Sequence, residues 1–96
     1  MNDIKYVIMI PKGMNIHGAR AIIFNGVFNH KDIAHISVVA GVGKVHSAGF
    51  VSFSEEGIKC FGSSDSLGVG CKTGDAAIVE RTLTGMHGIM DLLAYN

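Results

Sequence analysis

Apolar and polar positions alternate along this chain in short runs broken by glycine, a pattern of strands and turns with two helical interruptions. Ile4 to Ile10 is dense in β-branched and aromatic residues and predicts a buried strand. Pro11, Gly13, Asn15 and Gly18 mark the loop after it. Ala21 to Phe24 is a second apolar run, closed by the turn dipeptide Asn25-Gly26. A helix is expected from His30, with Asn29 as its cap and Ile33, Ile36 and Ala40 as its buried stripe. Gly41-Val42-Gly43 ends it.

Lys44 to Phe53 alternates again, with Val45, Ser47, Gly49, Val51 and Phe53 on one side. Lys44, His46, Ala48, Phe50 and Ser52 fall on the other. Ser54-Glu55-Glu56-Gly57 is a polar turn into a strand over Ile58 to Phe61. Gly62 breaks that strand into a Gly/Ser loop, followed by a helix that opens at Thr73 or Asp75 and stops at Gly85. Its apolar face is expected from Ala76, Ile78, Val79 and Leu83. Gly88 to Tyr95 suits a last strand that completes the sheet, although Met90, Leu92 and Leu93 also fit a helix. The expected architecture is α+β: one small domain with a mixed β-sheet of about five strands and two helices.

Composition narrows the function classes. Ninety-six residues make one domain, and 48% hydrophobic with 17% charged residues and a mean hydropathy of +0.36 is enough for a packed core. So apolar a surface also allows a homo-oligomer. Eight basic residues balance eight acidic ones. That balance argues against a nucleic-acid polymer or a membrane surface as a partner held by bulk charge. Any affinity for anions must be local. Tyr6 to Ile10 is too short for a signal core or a membrane span, so a cytoplasmic protein is expected. Cys60 and Cys71 have no partners at zinc spacing, no histidine pair has the i, i+4 spacing of a helical metal site, and neither metal nor cofactor is expected.

The Gly/Ser loop carries the strongest chemical signal. A strand that ends in such a loop and feeds a helix gathers unpaired N–H groups and a positive helix end at one point, a natural anion site. Gly70-Cys71-Lys72-Thr73 approaches the phosphate-loop signature, but the inserted Cys71 spoils the spacing its lysine needs. A looser nest of amides and a plain chain reversal are equally good readings of the glycines. Ser64 or Ser66 as a nucleophile would need a base and an orienting acid, and Asp65 alone makes no triad.

Of the five histidines, His30 stands at the expected helix start, where the positive helix end favours the uncharged imidazole that a general base requires. His35 lies about 140° round the same helix and shares no face with it. His17 and His87 lie beside glycines and suit the surface, and His46 sits on a strand. For each histidine a surface or satisfied core position is the plainer assignment.

In order along the chain, these segments resemble the small phosphohistidine phosphatases of the janus/ocnus family. Lys5-Tyr6-Val7-Ile8 is similar to the family's first strand, and Asn29-His30-Lys31-Asp32-Ile33 to its Tyr-His-Ala-Asp-Ile segment. Gly41-Val42-Gly43-Lys44-Val45 is similar to its Gly-Gly-Gly-Arg-Ile. Phe61-Gly62-Ser63-Ser64-Asp65-Ser66-Leu67-Gly68 lies over its Tyr-Gly-x-Ser-x-x-Tyr-Gly. The chain is similar also to short uncharacterised proteins of large tailed phages. The resemblance implies a metal-independent phosphatase acting on a phosphohistidine protein or a related phosphoramidate. His30 would be the base that activates water. Ser64, with the amides of Asp65 and Ser66, would be the phosphate cradle, and Lys5 and Lys44 its cationic walls. Asp65 puts a carboxylate in that cradle, and Leu67 stands where the family has an aromatic residue. Asp65, with loops shorter than is typical of the family, favours the alternative, a module that holds a phosphorylated small molecule, such as a nucleotide or signalling dinucleotide, without turning it over.

Overall fold

The computed structural model describes residues 3–41 and 43–85. It contains strands β1 (Ile4–Pro11), β2 (Arg20–Asn25), β3 (Gly43–Ser54), β4 (Gly57–Phe61), β5 (Ser63–Ser64) and β6 (Val69–Gly70). Helices α1 (His30–Val39) and α2 (Asp75–Gly85) complete it, with a single 3-10 turn at Ile16–Gly18. The four long strands form one sheet in the order β2-β1-β3-β4, and β5 and β6 form a small hairpin of their own. The protein is therefore α+β, as expected. Every described pairing is antiparallel, where a mixed sheet of about five strands was expected. The last expected strand, Gly88 to Tyr95, lies outside the described residues.

Strand β1 is central because both of its faces are apolar. Tyr6 and Ile8 point to one side and pack with Ala21, Val51 and, from α2, Ile78 and Val79. Val7 and Met9 point to the other and pack with Ala48 and, from α1, Ala34. Alternation along the strand thus separates two half-cores, and the helices cover opposite faces of the sheet. Arg81 and Thr82 fasten α2 to the β2 side. The Arg81 guanidinium donates to the Ala19 carbonyl at 2.7 Å, and the Thr82 hydroxyl accepts from the Ala21 amide at 3.0 Å.

Two expectations about faces are corrected. On α1 the buried residues are His30, Ala34 and Ser37, at spacings of four and three. Ile36, expected inside, is 64% exposed, and Ala40 is exposed as well. Small Ala34 and Ser37 let the helix settle closely on Val7 and Met9, and the larger Ile33 is left at the margin, half-buried. On β3 the register slips between the pairs Ile8↔Ser47 and Met9↔Val45, leaving His46 as an extra residue. Such a bulge exchanges the faces of everything before it. Val45 therefore joins Ala48 on the α1 side, whereas Lys44, paired with Ile10, goes to the face on which Ile10 packs.

A buried polar anchor holds the start of α2. Asp75, 1% exposed, accepts from the Tyr6 hydroxyl at 2.6 Å, the Ser47 hydroxyl at 2.9 Å and the Lys72 amide at 2.9 Å. The Lys72 contact, together with the bond from the Asp75 amide back to the Lys72 carbonyl at 3.1 Å, forms a reciprocal cap. Burial and the neighbouring Asp75 carboxylate push the Tyr6 phenol far above its ordinary range. Among the described residues no helix is long and apolar enough to cross a membrane.

Candidate functional site

Four separate segments meet in one cleft of about 290 Å³. It is lined by Lys5 from β1, Asn29 and His30 from the start of α1, Phe50 from β3, and Ser63 to Ser66 from the β5–β6 hairpin. The fold assembles them for simple reasons. Lys5 precedes Val7 and Met9 by even steps, so it points to the α1 face of the sheet. Asn29 accepts from the Lys31 amide at 2.7 Å and so fixes where the helix begins, with His30 as its first residue.

His30 is 4% exposed and wedged edge-on between Phe24 and Phe50, with ring centroids 5.6 and 5.7 Å away. Its Nε2 lies 2.8 Å from the Gly49 carbonyl oxygen. A carbonyl can only accept, so Nε2 carries the hydrogen, and in the neutral ring Nδ1 holds the lone pair. This fixes the tautomer and leaves Nδ1 as the nitrogen able to take a proton. Gly49 is required there for space, since a Cβ would stand 2.6 Å from the Phe61 carbonyl oxygen.

The hairpin is tied to the helix start by its serines. Ser66 Oγ donates to Asn29 Oδ1 at 2.8 Å, Ser64 and Ser66 share a hydroxyl contact at 3.2 Å, and Ser64 Oγ accepts from the Leu67 amide at 3.2 Å. The Gly68 amide bonds the Ser64 carbonyl at 2.9 Å. The Ser64 and Ser66 hydroxyls are thus spent on the shape of the loop. The amides of Asp65 and Ser66 have no acceptor among the described residues, and these are the donors left for an anion. Lys5 Nζ donates to the Phe28 carbonyl at 2.9 Å, which occupies one of its three hydrogens.

Lys5, His30, Ser64, Asp65 and Ser66 are therefore brought together. Lys44 is not. It lines a different cleft of about 420 Å³, with Ile10, Lys12, Met14 and Val38, at the far end of β1. Among the described residues that larger cleft is lined by lysines and by no histidine or carboxylate. Sequence reasoning missed Asn29 as more than a cap, and missed Phe50 and Ser63. Position 50 in the β3 alternation was the available signal for Phe50; for the Asn29–Ser66 contact, across 37 residues, there was none. His17 and His35 are exposed and His46 is half-buried on the bulge; His87 lies outside the described residues. Among the described residues no three His, Cys, Asp or Glu side chains gather as a metal site.

The chain matches no protein-family model, no curated protein and no solved structure. What the cleft can do is a matter of its own chemistry. Among the described residues it offers one ammonium, two unengaged amides, the Ser63 hydroxyl and an imidazole of fixed tautomer. One carboxylate, Asp65, opposes them.

Proposed function

We propose that this protein is a metal-independent phosphatase of the phosphohistidine type, hydrolysing the phosphorus–nitrogen bond of phosphohistidine or a related phosphoramidate. The observation that carries the reading is the meeting of His30, Lys5 and the Ser63–Ser66 turn in one small cleft. The phosphoryl oxygens would rest on the Asp65 and Ser66 amides and the Lys5 ammonium. A water in line with the phosphorus–nitrogen bond would give its proton to His30 Nδ1 as it attacks, the phosphorus–nitrogen bond would break, and the departing nitrogen would take up a proton from solvent. Positioning and charge stabilisation supply most of the acceleration in such a reaction, and fixed amides and an ammonium provide both. A reducing compartment such as the cytoplasm fits Cys60 and Cys71, both free thiols.

The test is phosphate release from a phosphohistidine peptide or phosphoramidate, with and without a chelator. Wild type should release phosphate in both conditions, and His30→Gln should release it roughly 10²–10⁴-fold more slowly. No release by wild type, or sensitivity to the chelator, would defeat the proposal.

A second reading, capture of a phosphorylated ligand without turnover, is favoured by the Asp65 carboxylate in the cleft, because it disfavours charge build-up on a reacting phosphoryl group. A thermal-shift screen of nucleotides and dinucleotides separates the two. A ligand at ~100 times its dissociation constant adds about 2.7 kcal/mol of stability. A shift without phosphate release supports capture.

A further inference from the structure

The cleft that holds Lys44 is unused by the chemistry above. Its volume of about 420 Å³ lies within the roughly 300–1,000 Å³ of small-molecule sites. Its walls come from three places: Ile10 with the Lys12–Met14 turn after β1, Val38 near the end of α1, and Lys44 at the start of β3. Two of its apolar side chains face solvent instead of joining either half-core. Met14 is 55% exposed and Val38 50%. Met14 is folded back over Gly18, where a Cβ would stand 2.5 Å from its Cε, so the thioether lies against the protein.

The ionisable side chains of the cleft are all of one sign. Lys12 and Lys44, both exposed, line it, and among the described residues no carboxylate does. The Met14 amide donates to the Pro11 carbonyl at 3.0 Å and closes a turn with Gly13, at φ 80°, in its third position. The Gly13 amide has no acceptor among the described residues and is a third donor on the same wall. One feature opposes an anion. The carbonyl end of α1 borders the cleft at Val38, and such an end carries roughly half a negative charge. Two full positive charges outweigh it, and the Val38 carbonyl already accepts from the Ala40 and Gly41 amides.

We propose that this cleft is a second binding site, separate from the His30 cleft, for a small amphipathic anion. A phosphate or carboxylate head rests between Lys12, Lys44 and the Gly13 amide, and an apolar body covers Met14, Val38 and Ile10. Both halves of the ligand are needed. Exposed lysines hold a bare ion weakly because water and salt screen them, so inorganic phosphate gains little here. A neutral molecule leaves the lysines unused. Aromatic phosphates and acyl-chain carboxylates share this chemistry, and the experiment separates ring from chain. The site goes beyond the phosphatase reading and uses neither His30 nor Lys5.

The full chain, isotope-labelled at its methionine methyls, is titrated by NMR with phenyl phosphate and with hexanoate. Benzyl alcohol and hexanol serve as uncharged counterparts, and inorganic phosphate as a head without a body. The Met14 signal, assigned by its loss in Met14→Leu, should move saturably with at least one of the two anions. The signal of fully buried Met9 should stay still and report an intact core. Movement with phenyl phosphate alone assigns a ring, with hexanoate alone a chain, and with both a site open to either. In the Lys12→Gln/Lys44→Gln double variant the dissociation constant of the responding anion should rise about tenfold. In Lys5→Gln it should not change, so a failure of the phosphatase reading leaves this result standing. A still Met14 signal with both anions overturns the site. Equal affinity for the uncharged counterpart, equal affinity for inorganic phosphate, or undiminished binding by the double variant does the same.

Discussion

His30 Nε2 and the Gly49 carbonyl oxygen are 2.8 Å apart in the interior, joining the first residue of α1 to the middle of β3. This single bond holds the helix start against the sheet and decides which imidazole nitrogen is free. The two consequences can be separated by substitution.

His30→Ala empties the space between Phe24 and Phe50 and leaves the Gly49 carbonyl without its donor. The unpaired carbonyl alone should destabilise the protein by about 1–3 kcal/mol. His30→Gln keeps an N–H for the carbonyl and removes only the base. Its melting temperature should stay near wild type, while phosphoramidate hydrolysis falls by roughly 10²–10⁴-fold. Wild-type turnover in His30→Gln would show that the histidine is structural alone.

Lys5 and Lys44 should behave differently although both were expected to line the site. Lys5→Gln removes the one lysine that lines the His30 cleft among the described residues. A charged hydrogen bond is worth about 1.5–3 kcal/mol, so affinity for inorganic phosphate should drop by about tenfold to a hundredfold. Lys44→Gln, on the other side of the bulge, should leave that affinity unchanged. Titration calorimetry of the two variants decides it, and equal losses would mean that the cleft is wrongly drawn.

Tyr6→Phe deletes one of the three donors to the buried Asp75 carboxylate. The loss should be about 1.5–3 kcal/mol. In a domain of this size each kcal/mol moves the melting temperature by roughly 4–8 °C. Denaturant and thermal melts of the variant measure it. An unchanged melting temperature would mean that the phenol contributes nothing net to anchoring α2.

Alkali should weaken the fold through the same region. Burial holds the Cys60 thiol above its ordinary value of 9.0 and the Tyr6 phenol above 10.0, the Asp75 carboxylate adding to the second. In the window above those values the unfolded chain has released protons that the native state keeps, so stability falls as pH rises. The contribution is complete below pH 9 and is lost progressively above it. Urea midpoints from pH 7 to 11 should decline, and Cys60→Ala should decline less steeply. A flat profile in wild type would contradict the burial argument.

Local chemistry made much of this protein legible in its sequence. Asn25-Gly26 followed by Asn29 determines a turn and a helix cap, because both act through hydrogen bonds within a few residues, and α1 begins at His30 as expected. The Gly/Ser run after Phe61 likewise determines a tight reversal with amides to spare. The unbroken apolar run of Tyr6 to Ile10 determines a strand buried on both faces. What these residues could not state is which neighbours they meet. Ile36 has the hydrophobicity of a core residue, yet the close fit of Ala34 and Ser37 on the sheet turns it outward. Lys44 follows its strand's alternation on paper, yet the extra residue at His46 sends it to the opposite face. The serines of the hairpin could have offered their hydroxyls to a ligand. Contacts to Asn29, to each other and to the Leu67 amide engage Ser64 and Ser66 instead, and the amides of Asp65 and Ser66 are left. Sequence alone determined most of the elements and where they begin, because backbone propensity and capping are short-range. Only the tertiary structure decided which side chains share a cleft, because register, a bulge and the closeness of packing are set by contacts between distant segments.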